Sequence, residues 1–331
     1  ADAMDDHGHG THVAATAAGK KIDDSGLNGV APDAKIVAYK VLSSSGSGNF
    51  DDIIAAIERS VDPNQDGNIS DHLDIISLSL GAECGTYSNW CGPDDPTSKA
   101  IDNAIDQGVI AVISAGNSGS GSGTIGSPGT ARKAITVGAT SKYNIIAGFS
   151  SRGPVEWPNG ILIKPDVVAP GVSICAAQWD NAFSHKDTNC NLDDNHVAID
   201  GTSMAAPHVS GAAALIKQSH PDWTPEEIKS ALRSKAVKLN YDINTQGYGL
   251  IDALKTVQLN SSPCIAKIET NGETEDVFDI TGSAYCNDFF RYSLYMSPFE
   301  NQELETELTS SSSVVENGVL YENFDSSAMD D

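Results

Sequence analysis

The chain has 331 residues, 40% of them hydrophobic, and 30 glycines, which gives room for one large globular domain and an appendage. Its formal charge of −25 argues against a nucleic-acid partner, since such a surface repels phosphate; 15 of its 45 acids but only 2 of its 20 cations fall in residues 261–331. No apolar run reaches the ~20 residues of a membrane-spanning helix, so no membrane span is expected.

In chain order, His9–Ala18 carries Ala and Val at helical spacing and stops at Gly19, which predicts a helix. Residues 36–42 form an apolar run that fits a buried strand. Residues 49–60 read as a helix with Ile53, Ile54 and Ile57 on one face, and residues 74–80 as the next strand. The unit then repeats, with a helix over 97–107, an apolar strand over 109–115 and a further strand over 134–139. Strands alternating with helices predict an α/β fold: an open, doubly wound, mostly parallel sheet with helices on both faces.

Between the helix at 49–60 and the strand at 74–80 lies SVDPNQDGNISD. Asp62, Asn64, Asp66 and Asn68 alternate as oxygen donors around Gly67, as in a calcium loop of the EF-hand kind. Leu73 stands where such a loop closes with a bidentate Glu, and Asp71 is its candidate replacement. The plain alternative is a polar turn.

Residues 201–215, GTSMAAPHVSGAAAL, place a lone hydroxyl, Ser203, on the first turn of a small-residue helix, with Pro207 near its start. A side chain there sits among unpaired backbone N–H groups at the positive end of a helix dipole, a good place for a nucleophile whose product is an oxyanion. Thr224 to Glu227 is a capping box opening a helix to about residue 235, and 247–257 reads as a closing helix. Beyond residue 260 the aromatic and Thr-rich composition reads as an incomplete β-rich extension, or as disorder.

Six cysteines form three near couples, Cys84 with Cys91, Cys175 with Cys190 and Cys264 with Cys286, without CxxC zinc spacing. Disulfides, an oxidising compartment and hence a secreted protein are favoured; free buried thiols are the other reading.

GTSMAAPH (201–208) resembles the serine motif of the subtilisin-like serine proteases, the subtilases. DDHGHGTHVAATAAG (5–19) is similar to their histidine motif and ISAGNSG (113–119) to their oxyanion-hole motif, in the family's chain order. The resemblance covers roughly residues 5–260. It implies Ser203 as nucleophile, His9 as general base with His12 as a packed neighbour, and Asn117 as the oxyanion carboxamide. It further implies two backbone edges for strand-like substrate pairing, Ser79, Leu80, Gly81 and Ser114, Ala115, Gly116. Gly126 in TIGSPG would floor the pocket for the residue before the cut, leaving space for a large apolar side chain.

The family order also implies an aspartate ahead of His9. Asp2, Asp5 and Asp6 lie on or beside the turn into the histidine's own helix, so the orienting carboxylate is expected upstream of residue 1. The 331 residues are then an N-terminally truncated fragment, nearly inactive alone: a catalytic domain over 1–260 and an acidic extension over 261–331. The reading is a secreted, monomeric serine endopeptidase acting on polypeptides, made with an N-terminal propeptide, needing no cofactor for chemistry and carrying structural calcium. The rivals are a catalytically silent relative and a calcium-binding structural or adhesive protein.

Overall fold

Three apolar, β-rich runs and a fourth beside them, too short to stand alone, pair in parallel and set the frame. A computed structural model describes residues 3–20, 27–85, 90–158, 160–180, 182–183, 190, 195–268, 277–296 and 306–326. Its elements begin with α1 (His9–Ala18), α2 (Phe50–Val61), β1 (Ile75–Leu78), α3 (Pro96–Asp106), β2 (Ile110–Ser114) and β3 (Ile135–Thr140). Short strands β4 (Val155–Trp157) and β5 (Gly160–Leu162) precede β6 (Val167–Pro170), β7 (Ile174–Ala177) and β8 (His196–Ile199). The helices α4 (Thr202–Ser219), α5 (Pro225–Lys235), α6 (Ile243–Gln246) and α7 (Ala253–Val257) follow.

The main sheet runs β1-β2-β3-β6, with Ile75 opposite Ile110, Val112 opposite Ile135 and Val137 opposite Val167. Strands β2 and β3 are buried throughout, as strands covered on both faces must be. On one face Ala205, Val209, Ala212 and Ile216 of α4 pack with Val112, Ile135, Val137 and Val167. On the other, Ile53 and Ile57 of α2 and Ile101 and Ile105 of α3 pack with Ile76, Ala111 and Ile113.

Two expectations change. Residues 36–42 are extended but join no ladder among the described residues, and Ile36 and Val37 are more than half exposed. An apolar run becomes a strand only where a partner edge lies within hydrogen-bond reach, and here a cavity lined by both segments separates it from β1. The closing helix is confined to Ala253–Val257. Residues 248–251 instead run extended beside β6, with the Tyr248 N–H on the Asp166 carbonyl and Leu250 bridging Val168 and Val237.

Behind the sheet, one carboxylate gathers three cations. Asp166 accepts from Lys164 Nζ at 2.8 Å, from the Thr136 N–H at 2.7 Å and from Arg233, with Lys229 Nζ at 3.4 Å. Lys229 also donates to the carbonyls of Arg132, Lys133 and Ala134, tying α5 to the approach into β3. Burial alone would raise the Asp166 carboxyl; Lys164, Lys229 and Arg233 outweigh it and hold it well below the usual range.

Leu259–Asp331, with Pro158–Gly160, forms a separate compact unit. It holds strands β9 (Ile265–Ile268), β10 (Val277–Tyr285), β11 (Tyr292–Met296), β12 (Thr306–Ser311) and β13 (Val315–Asp325), paired as β13-β10-β9 and β11-β12. All three cysteine couples are closed as disulfides. No helix among the described residues is long and apolar enough to cross a membrane.

Candidate active site

Ser203 lies on the first turn of α4, as its place after Gly201 predicts. Pro207 sits within this helix and brings no N–H, so the Ser203 carbonyl loses its helical donor. Ser79, just past the end of β1, fills the gap: its hydroxyl donates to that carbonyl at 2.7 Å. The Ser203 hydroxyl in turn donates to the Ser79 carbonyl at 3.3 Å, and none of its hydrogen bonds among the described residues reaches His9.

Asn117, on the turn after β2, is clamped by its oxygen. Oδ1 accepts from the Thr202 N–H at 2.9 Å and the Thr202 hydroxyl at 3.0 Å. A backbone N–H needs an oxygen opposite it, so the amide orientation is fixed and Nδ2 is turned outward as a donor. A Cβ placed on Gly201 would stand 3.6 Å from the Ser203 nitrogen and 3.7 Å from Asn117 Nδ2. Two N–H donors therefore flank one small space, which a side chain at 201 would fill, and this is what an oxyanion hole requires. Thr202 and Ser79 escaped the sequence reading as positioning residues; the hydroxyl immediately before Ser203 was the available signal for the first.

His9 opens α1 and, with Asn117 and Ser203, lines one cavity of about 2070 Å³. Burial, then the neighbouring His7 and His12 rings, push its imidazole down to about 4, against a weaker upward pull from Asp5. No carboxylate among the described residues is hydrogen-bonded to that ring. Asp5 is committed elsewhere: it accepts from the N–H groups of His7, Gly8 and Thr11 and from the Thr11 hydroxyl, capping α1, whose N-cap Gly8 has no side chain to do so. Burial would raise the Asp5 carboxyl, but these bonds hold it well below the usual range. Asp6 pairs with Lys40, and Asp2 lies outside the described residues. His12 is fully buried, with Nε2 between the carbonyls of Ile174 at 3.0 Å and Val197 at 3.1 Å, so it is a packing residue.

The two substrate edges differ. Leu80 and Gly81 line the cavity and make no backbone hydrogen bond among the described residues, so their N–H and C=O groups are open for pairing. Ser114 and Gly116 also line it, but the backbone after β2 is taken. The Ala115 N–H goes to Val137 and its carbonyl accepts from Gly126; the Gly116 N–H goes to the Thr202 hydroxyl and its carbonyl accepts from Ser151. This segment is a wall, not a pairing edge. Gly126 lines the same cavity, and a Cβ there would meet the Ala82 carbonyl at 2.8 Å. Close backbone approach accounts for this glycine before any ligand is considered.

The 62–71 loop is a chain of self-satisfied turns. Asp62 accepts from the N–H groups of Asp66 and Gly67, Asn64 from Asp66, Asp66 from Asn68, and Asn68 from Ser70. Its donor chemistry fits a hard cation. Asp71 sits on a short 3-10 turn, and among the described residues no three His, Cys, Asp or Glu side chains are grouped to hold a metal.

The model of the subtilase family matches residues 1–250. The chain is 38% identical to serine protease AprX of Bacillus subtilis over 76% of its own length and 58% of that protein. It is 36% identical to subtilisin Savinase of Lederbergia lenta over 76% of its length and 77% of that protein. A solved structure of proteases from Pseudoalteromonas arctica superposes with a TM-score of 0.57 at 32% identity, covering 75% of this chain and 70% of that one. The chain thus spans little more than half of AprX. By these matches, and by a serine, a carboxamide and an imidazole gathered at one cavity in the order the motifs require, the chain belongs to the subtilase family.

Proposed function

We propose that the chain is the catalytic part of a secreted serine endopeptidase of broad specificity. Ser203 attacks the scissile carbonyl, and His9 takes the hydroxyl proton and passes it to the leaving amine. Asn117 Nδ2 and the Ser203 N–H hold the oxyanion. The observation that carries this reading is the Thr202 clamp on Asn117, which leaves two donors aimed at one space beside the nucleophile. The low proton affinity of His9 keeps it neutral, and so able to act as a base, at neutral pH.

The substrate chain is proposed to pair with Leu80 and Gly81 and to place a large apolar side chain before the cut over Gly126. The orienting carboxylate for His9 is proposed to arrive on a further strand, upstream of residue 1, seated in the cavity between residues 36–42, which join no ladder among the described residues, and β1, which there pairs with β2 alone. No cofactor is assigned to the chemistry, and calcium at Asp62, Asn64, Asp66, Asn68 and Asp71 is assigned a structural role. An N-terminal propeptide and a monomeric state complete the reading.

A fluorophosphonate probe tests it. Expected is labelling of Ser203, located by peptide mapping, in the protein with that strand supplied, and loss of labelling in Ser203→Ala. Unlabelled Ser203 in folded protein overturns the reading.

A further inference from the structure

The hairpin of β7 and β8 stands apart from the chemistry assigned so far, yet it bears on the cleft. Its strands pair antiparallel, with Ile174 opposite Ile199, and Cys175 and Cys190 staple it. Its base is held by His12, whose ring bridges Ile174 and Val197 one turn after His9 on α1. The hairpin is thereby tied to the helix that carries His9. Beyond β7 the chain turns back, the Ala182 N–H closing on the Trp179 carbonyl at 2.8 Å with Asp180 at φ 42.

That turn delivers two aromatic rings. Trp179 is half-buried and lines the cavity shared by His9 and Ser203. Phe183 packs against the cluster of Val197, Ile199 and Met204, the residue after the nucleophile, and stands edge-on to His7 at 6.4 Å. The fit against α1 is tight: Gly8 has φ 94, and a Cβ there would meet Ala182 Cβ at 2.7 Å and the Phe183 ring at 3.1 Å. A bare backbone at position 8 is what lets this turn reach the helix that carries His9.

The chemistry fixes which end of a substrate meets these rings. When the C–N bond breaks, the nitrogen takes the proton from His9, so the departing segment lies on the imidazole side of Ser203. The acyl segment lies on the other side, toward Leu80, Gly81 and Gly126. We propose that the stapled hairpin forms a subsite for the leaving segment, with Trp179 as its contact face, which takes an apolar or aromatic side chain just after the cut. This rests on the proteolytic reading above.

Acyl transfer separates the two. A peptide methyl ester acylates Ser203 and releases only methanol, too small to reach Trp179; the acyl-enzyme then partitions between water and an added amino-acid amide, whose nitrogen attacks the acyl carbonyl and loses its proton to His9. With the upstream strand supplied, the wild type should prefer phenylalaninamide to glycinamide. Trp179→Ala should lower that preference about tenfold, the scale of one lost apolar contact, with ester hydrolysis unchanged, and Trp179→Phe should restore most of it. Ester turnover with an unchanged amide preference in Trp179→Ala overturns the inference alone, as does a fall in ester hydrolysis that accounts for the whole effect. No ester turnover by the wild type with that strand supplied overturns the proteolytic reading and this inference with it.

Discussion

Ser79 and Ser203 hold each other across 124 residues of sequence, each hydroxyl donating to the other's carbonyl, at 2.7 Å and 3.3 Å. The stronger bond exists because Pro207 cannot supply the helical N–H, so the proline and the remote serine form one device. Ser79→Ala should cost about 1 kcal/mol in urea unfolding, the usual net worth of such a bond. In a Pro207→Ala background, where position 207 again offers an N–H to the Ser203 carbonyl, the cost should be close to nil. Additive losses in the double-mutant cycle would show that the two do not share the carbonyl.

Thr202 matters through Asn117. Asn117→Ala removes the proposed oxyanion donor and should lower kcat about 100- to 1,000-fold with KM little changed, the loss established for such a removal in subtilisin. Thr202→Val keeps the backbone clamp but deletes the hydroxyl held at 3.0 Å, freeing the carboxamide to rotate. Its effect should fall in kcat and be a fraction of the first. A change confined to KM would contradict the assignment of this pair to the transition state.

The ring of His9 is the place to test for the carboxylate proposed to lie upstream of residue 1. In residues 1–331 burial holds it down to about 4. Its Cε1 proton should therefore titrate near pH 4 by NMR, and the imidazole is neutral above that. A buried His that resists protonation lowers stability as pH falls through 6.5, where the unfolded chain begins to take up protons, down toward 4. Supplying the upstream strand with its aspartate should move the midpoint upward, and the same strand carrying Asn should not. An unmoved midpoint would mean that no carboxylate seats against this ring.

What could be read from residues alone follows a physical division. The places of His9, Asn117 and Ser203 in the fold were legible because each sits at the end of an element that its own neighbours specify: a Gly-stopped helix, an apolar strand, a small-residue helix. The parallel sheet was legible from the alternation of such elements. Residues 36–42 run extended but join no ladder among the described residues, because strand formation depends on a partner edge, which local composition does not report. The role given to 114–116 changed for a related reason: whether a backbone N–H is open is settled by residues as distant as Thr202 and Ser151. Trp179 carries no motif of its own, and its place in the cleft depends on His12 and Gly8, far away in sequence.

Asp166 anchors the far side of the sheet. Its neutralisation in Asp166→Asn leaves Lys164 fully buried and Lys229 nearly so, without a counter-charge, a loss expected at about 3 to 5 kcal/mol. Because the carboxyl is held far below its unfolded value, its contribution is complete above about pH 4 and disappears only as pH falls further. The variant should thus be less stable at pH 7 and show a shallower fall in stability below pH 4. Equal acid limbs in the two proteins would mean the carboxylate is not the counter-charge.

Calcium at the 62–71 loop gives the last measurement. The loop presents Asp62, Asn64, Asp66 and Asn68 in alternation, yet their oxygens rest on the loop's own N–H groups and no three acidic side chains converge there. A cation would have to draw in Asp71 to close its shell, so folding of the loop and binding are partly coupled. At a hundredfold excess over Kd, calcium stabilises a folded protein by about 2.7 kcal/mol, on the order of 5 to 10 °C in Tm for a domain of this size. That increment, measured between calcium and a chelator, should vanish in Asp66→Asn/Asp71→Asn. Both substitutions keep a side-chain oxygen to accept the turn's hydrogen bonds, so the Tm in chelator should stay within a degree or two of the wild type. A calcium increment that survives the double substitution places the ion elsewhere, and no increment in the wild type leaves the loop a polar turn.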